Sequence, residues 1–251
     1  MATVNEKMTA IADAIRDKTG LENALTLDDM AEDIPKVYDA GKQAEYDEFW
    51  DMFQKNGSRT DYAYGFYGWD GSKLKPKYNI VLTGSANSVF RATTGVKSFP
   101  KHLEECGVIV DSSKATTLSD FFQASTIEEI SEFDGSSSNT YDYMFSGCPY
   151  LKSIRKLKLK PNPTYGSPYL YMFSSVLETL IVEGGIGKNG FNVSPCSKLT
   201  HESLMSIINC LVDKTTDTSG TTWTVTLGST NLAKLTDSEK AIATQKGWTL
   251  A

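Results

Sequence analysis

The sequence predicts an α+β fold in three parts: an N-terminal helical segment, a short solenoid of stacked strand-and-turn units, and a helix–strand–helix cap. Three observations carry this expectation. Residues 1–57 hold 13 Asp and Glu against 6 Lys and Arg and show helical apolar spacing. Beyond residue 58 short β-prone runs are broken by Gly, Ser, Asn and Pro, and one phrase recurs, as YDYMFSGCPYLKSI from Tyr141 and YLYMFSSVLETL from Tyr169. After residue 200, capped helical patterns return. The expected regions are therefore 1–57, 58–199 and 200–251.

In the first region Val4, Met8, Ile11 and Ile15 fall on one helical face, and Gly20 ends the helix. Leu25–Ile34 reads as a second helix capped by Thr26, and a third opens at Pro35 and carries Phe49, Trp50 and Phe53. So few residues bury little apolar surface alone, so Val4, Met8, Ile11, Ile15 and Trp50 are assigned to oligomerisation or docking.

In the second region Tyr62, Tyr64 and Phe66 alternate as in a strand, and YNIVLTG reads as another. Four units then begin at Val89-Phe90, Phe121-Phe122, Met144-Phe145 and Met172-Phe173, spaced 32, 23 and 28 residues apart. Each is followed by an apolar pair: Val96/Phe99, Ile127/Ile130, Leu151/Ile154 and Leu177/Leu180. One such unit cannot bury these side chains, whereas neighbours stacked on it can. Leu157 and Leu159 alternate with Lys156, Lys158 and Lys160, placing one face of that strand inward. In the third region Thr200 caps a helix carrying Leu204, Ile207, Ile208 and Leu211. TTWTVTLGS reads as a strand, and Thr236 and Glu239 form a capping box that opens the last helix, ended by Gly247.

The phrase Phe145-x-x-Cys148-x-x-Leu151-x-x-Ile154 resembles the BspA-type leucine-rich repeat; the other three units keep the Phe and the apolar pair but lack the cysteine. MTAIADAIRDKTG and LTLDDMAEDI resemble the N-terminal segment of tail and baseplate proteins in phages and prophages of Gram-positive bacteria. LGSTNLAKLTDSEKAIATQKGW is similar to the end of repeat-bearing structural proteins from the same phages. The resemblance implies a virion tail protein, assembled in the host cytoplasm, that partners other tail or baseplate proteins and a host-surface protein or glycan. By analogy with tail fibres it also implies a homo-oligomer, with a trimer favoured.

Chemistry is less well represented. The four cysteines form no C-x-x-C, and His102 and His201 stand in no metal-ligand spacing, so neither a metal nor another cofactor is expected. VEGGIGKNG lacks the phosphate-loop pattern and reads as a loop between strands. HLEECG reads as a surface turn, and Glu104/Glu105 and Glu128/Glu129 read as surface charge rather than glycosidase acids. The chain is therefore expected not to be an enzyme. A cell-wall hydrolase is the least favoured alternative, behind a bacterial adhesin or general interaction module. The N-terminus lacks a signal-peptide pattern, no apolar run reaches membrane-spanning length, and residues 58–251 carry a net charge of about +1, which argues against nucleic-acid binding. The Tyr- and Ser-rich loops Gly135–Tyr143 and Pro161–Tyr171 are the expected contact surface, with Tyr141, Tyr165 and Tyr169 as contact residues and Tyr143 and Tyr171 as packing residues.

Overall fold

The anchoring phenylalanines set the architecture, because each ring lies flat against the ring of the next unit. In this computed structural model Phe66 stacks on Phe90 at 4.7 Å, Phe90 on Phe122 at 5.6 Å, Phe122 on Phe145 at 5.9 Å and Phe145 on Phe173 at 6.2 Å. Phe191 closes the column edge-on. Phe66 is thus a fifth anchor. Its expected strand is a turn at this point, since Phe66 N–H donates to Val89 O and Gly68 N–H to Arg91 O.

The structure describes residues 13, 17, 65, 66, 68, 69 and 78–251. The chain divides into two units, Met1–Asp51 and Met52–Ala251, and the stacked rings belong to the second. Val4, Met8, Ile11, Ile15 and Trp50 lie outside the described residues.

Mixed helices and parallel sheets make up the described part. Strands β1 (Tyr78–Val81) and β3 (Val108–Asp111) form one parallel pair. β2 (Ser98–Phe99), β4 (Glu129–Ile130), β5 (Phe133–Asp134), β6 (Ser153–Lys158) and β7 (Thr179–Glu183) form a five-stranded parallel sheet. Its register puts Phe99 opposite Ile130, Ile130 opposite Ile154, and Ile154 opposite Leu180. These are the second members of the four apolar pairs, and all are buried. Equivalent residues stack because each unit repeats the same inward side chain at the same step. Between β2 and β3, α1 (Lys101–Glu105) buries Leu103, so the segment read as a surface turn is a short helix.

The turn around each anchor repeats an unusual backbone. Ser88 and Ala92 flank Phe90 with φ of 59° and 57°, Asp120 and Ala124 flank Phe122 at 57° and 58°, and Tyr143 and Gly147 flank Phe145 at 56° and 68°. A non-glycine residue in this region costs on the order of 1–2 kcal/mol. The conformation points amide hydrogens along the stack, where each finds a carbonyl of the next unit. Ser88, Phe90 and Ala92 donate to Ser119, Phe121 and Gln123, and Asp120, Phe122 and Ala124 donate to Asp142, Met144 and Ser146. The strain persists because leaving those amides buried and unpaired would cost as much or more.

The C-terminal part begins where α2 (His201–Asn209) replaces a strand beside β7. Thr200 caps it through the Ser203 amide, and Leu204, Ile207 and Ile208 are buried as the spacing predicts. Its serines satisfy the open strand edge. Ser203 Oγ accepts from Leu180 N–H at 2.9 Å, Ser206 Oγ accepts from Val182 N–H at 2.6 Å, and Cys210 Sγ donates to Val182 O at 2.9 Å. β8 (Trp223–Val225), α3 (Ser229–Leu232), α4 (Asp237–Gln245) and β9 (Trp248–Leu250) follow. The Thr236–Glu239 capping box opens α4, and Gly247 ends it with φ of 80°. β9 pairs with β8 in parallel, Trp248 opposite Trp223, an element the periodicity did not signal.

Candidate functional site

The tyrosines of the two expected contact loops divide the opposite way from the expectation. Tyr141 and Tyr169 are buried, their rings stacked 5.7 Å apart. They are core residues, not contact residues. The cause lies in the repeat register: Ala86, Leu118, Tyr141 and Tyr169 each stand four residues before an anchoring Phe. Ala86, Leu118 and Tyr141 donate their amides to equivalent carbonyls, of Thr117, Thr140 and Pro168. The Tyr141 hydroxyl donates to Gly135 O at 2.8 Å, with Ser138 O at 3.2 Å, and accepts the Lys160 amide at 2.8 Å. The Tyr169 hydroxyl faces the Gly187 amide without a formed hydrogen bond. Burial pushes both phenols well above the ordinary tyrosine range, so both stay neutral.

Tyr143 and Tyr171, expected to pack, occupy the outward positive-φ position, and their rings meet at 5.3 Å. Tyr171 is 67% exposed, Tyr165 53% and Leu170 42%. Of the three expected contact residues only Tyr165 is on the surface. The two loops do meet, at Asn139, whose Oδ1 accepts from Lys160 Nζ at 2.7 Å, Thr164 N–H at 3.1 Å and Thr164 Oγ1 at 3.0 Å.

Beside that junction lies a groove of about 780 Å³, walled by Asn162, Pro163 and Thr164 on one side and by the segment from Val212 to Trp223 on the other, with Lys188 between them. The glycine run in VEGGIGKNG builds it. A Cβ on Gly184 would overlap Leu159 O, and one on Gly187 would overlap Pro161 O, so only glycine lets these backbones pass. Asn189 then ties the run to the far wall, its Nδ2 donating to Thr222 O at 3.1 Å and its Oδ1 accepting the Thr224 amide at 2.7 Å.

The far wall holds its own shape through two Asp-led turns. Asp213 accepts from the Thr215 amide and hydroxyl, and Asp217 accepts from the Ser219 amide and hydroxyl and from Trp223 Nε1. Those amides hold both carboxyls below their usual range, so they are ionised. Lys214 Nζ stands 4.2 Å over the Trp223 ring, and partial burial moves its ammonium below the ordinary lysine range. Sequence reasoning missed this groove. The available signal was the hydroxyl-rich DKTTDTSG, in which Asp stands two residues before Thr or Ser, the spacing of Asp-led turns.

Both histidines and the thiols of Cys148 and Cys196 have structural partners. His102 Nδ1 accepts the Lys97 amide at 2.9 Å, and exposed His201 Nε2 lies 2.8 Å from Glu239 Oε1. Cys148 Sγ donates to Phe122 O and Cys196 Sγ to Ser174 O, and burial pushes the Cys196 thiol up to about 12. Glu104 and Glu105 lie on α1, while Glu128 pairs with Lys97 at 3.2 Å. Among the described residues no group of three His, Cys, Asp or Glu could hold a metal ion, and no helix is long and apolar enough to cross a membrane.

No protein-family model, curated protein or solved structure matches this chain, so the stacked units and the surface they hold are what bear on its function.

Proposed function

We propose that this chain is a non-enzymatic recognition component of a phage tail tip or baseplate. Its N-terminal region would join other tail proteins, and its second unit would be a BspA-like leucine-rich-repeat solenoid that meets a host-surface protein or glycan. The observation that carries the recognition reading is the junction of loops at Asn139. A rigid in-register core holds two inserted loops, the exposed Tyr165 and a hydroxyl-rimmed groove beside one another, and a binding surface needs this kind of preorganisation. The repeat reading is supported by a further unit, Val193-x-x-Cys196-x-x-Leu199, all three buried, whose thiol bonds back to the preceding unit as Cys148 does. The phage reading rests on the sequence resemblance at both ends.

Two experiments test the proposal. Mass spectrometry of purified virions from a strain carrying the gene should find the chain in particles, and its absence despite expression would reject the tail assignment. Purified protein incubated with host cell walls should be retained by them without releasing soluble wall fragments. Release that disappears on mutating one Glu or His would show an enzyme instead.

A further inference from the structure

We infer that the groove between Asn162 and Trp223 binds an anionic sugar, with Lys188 and Lys214 taking its carboxylate or phosphate oxygens and the hydroxyl-bearing rim taking its hydroxyls. This deepens the recognition reading and rests on it. The groove is within the roughly 300–1,000 Å³ typical of small-ligand sites, at about 780 Å³.

Its charges sum to zero, two Lys against two Asp, but its hydrogen-bonding capacity does not balance. On the acidic side three of the four carboxylate oxygens already accept hydrogen bonds: Asp213 Oδ1 from Thr215, Asp217 Oδ1 from the Ser219 amide, and Asp217 Oδ2 from the Ser219 hydroxyl and Trp223. The basic side is open. Neither the Lys188 nor the Lys214 ammonium makes a hydrogen bond or ion pair among the described residues; the Lys214 ammonium lies over the Trp223 ring, where Asp217 attracts it and Lys188 opposes it more weakly. Two ammonium groups facing one cavity, each with unused donors, can both donate to an incoming anionic oxygen.

The rest of the lining favours a sugar over a peptide or a nucleic acid. Thr164, Thr216, Ser219 and Thr221 offer small hydroxyls, and there is no deep apolar pocket to seat a peptide anchor. Apart from its two lysines the groove has no basic stripe of the kind that follows a nucleic-acid backbone. The Trp223 ring is half-buried and has Lys214 over it. An anion that draws Lys214 aside uncovers that ring for the C–H face of a pyranose. Binding should therefore change Trp223 fluorescence, a signature that simple surface charge would not give.

The test uses the full chain at low ionic strength, where such contacts are least screened. D-glucuronate, glucose 1-phosphate, inorganic phosphate and D-glucose are titrated by calorimetry and tryptophan fluorescence. Glucuronate, glucose 1-phosphate or both should bind and change the fluorescence, and the tighter of the two identifies the anion. D-glucose and inorganic phosphate should bind at least about tenfold more weakly. Lys188→Gln and Lys214→Gln should each weaken binding by about tenfold, the loss expected for one charged contact, with unfolding temperature unchanged for Lys188→Gln. Trp223→Phe should remove the fluorescence response.

No binding by either anionic sugar overturns the inference. So does inorganic phosphate binding as tightly as glucose 1-phosphate, or affinity unchanged in the folded double lysine variant. If the wild type is retained on host walls but binds none of these probes, the sugar assignment fails while recognition stands. If the probes bind and walls do not, the groove assignment stands and the recognition reading fails.

Discussion

Replacing Tyr141 and Tyr169 by Phe removes one hydroxyl from each of two equivalent buried positions, and the structure assigns the two changes opposite signs. In Tyr141→Phe the ring and its stacking remain. Gly135 O keeps the Ser138 amide as a donor, at 2.8 Å, so its carbonyl is not orphaned. The Lys160 amide loses its acceptor, and a buried donor left unpaired costs about 1–3 kcal/mol. In Tyr169→Phe no formed hydrogen bond is lost, and a hydroxyl that was desolvated without a partner is removed. That change should be neutral or stabilising, by up to about 2 kcal/mol. The two variants should therefore differ by roughly 1–5 kcal/mol, the sum of these two effects. A unit of about 200 residues shifts by about 2–4 °C per kcal/mol, so the gap in unfolding temperature should be about 2–20 °C. Equilibrium unfolding in urea and differential scanning calorimetry on the full chain measure both values. If Tyr169→Phe destabilises as much as Tyr141→Phe, the Gly187 amide is a genuine partner and the account of this layer is wrong.

Three further outcomes rest on the same stacked layers and their edges. Ser203→Ala leaves the buried Leu180 amide without its acceptor and should cost about 1–3 kcal/mol in urea unfolding, whereas alanine at the exposed neighbour Glu202 should cost less than about 0.5. Gly147→Ala should be tolerated at a cost of about 1 kcal/mol, because the equivalent positions already hold Ala92 and Ala124 at similar φ; Gly184→Ala, whose Cβ would meet Leu159 O, should prevent normal folding as read by circular dichroism. At alkaline pH the two buried phenols, with folded pKa values raised above the unfolded value of about 10, contribute stability that is complete below that pH and declines as pH rises toward the folded values. Each should remove about 1.4 kcal/mol per pH unit in that window, and phenolate absorbance should show Tyr141 and Tyr169 ionising only with unfolding.

What the sequence disclosed and what it withheld differ in physical range. The anchors and apolar pairs were legible because a buried ladder must repeat its large side chains, so Phe122, Phe145, Ile130 and Ile154 can be aligned without knowing their neighbours. The capping box at Thr236 was legible for a similar reason, since its donors and acceptors lie within four residues. The tyrosines were misassigned because composition treats Tyr141 and Tyr143 alike. Position within the repeat does not, since Tyr141 inherits the slot of Leu118 and Ala86, while Tyr143 inherits the positive-φ slot of Asp120 and Ser88. Aligning the units four residues upstream of each anchor would have separated them. Phe66 was missed because its turn lies 24 residues before Phe90, in a run that also alternates as a strand would, and periodicity of two masks a single anchor.

The groove and the serine edge cap are of another kind. Ser203 and Ser206 meet β7 across 23 and 24 residues, and Lys188 meets the 212–223 segment only because Gly184 and Gly187 let backbones pass. Such features come from the pairing of distant segments, and local spacing contains no trace of the partner. The same division separates scaffold from site. The repeated positions, strained φ included, are held by bonds to the next unit. The groove is lined by residues outside the anchor ladder, such as Thr216, Ser219 and Thr221, which are exposed and can vary without loosening the stack. A surface built this way can change its side chains while keeping its fold.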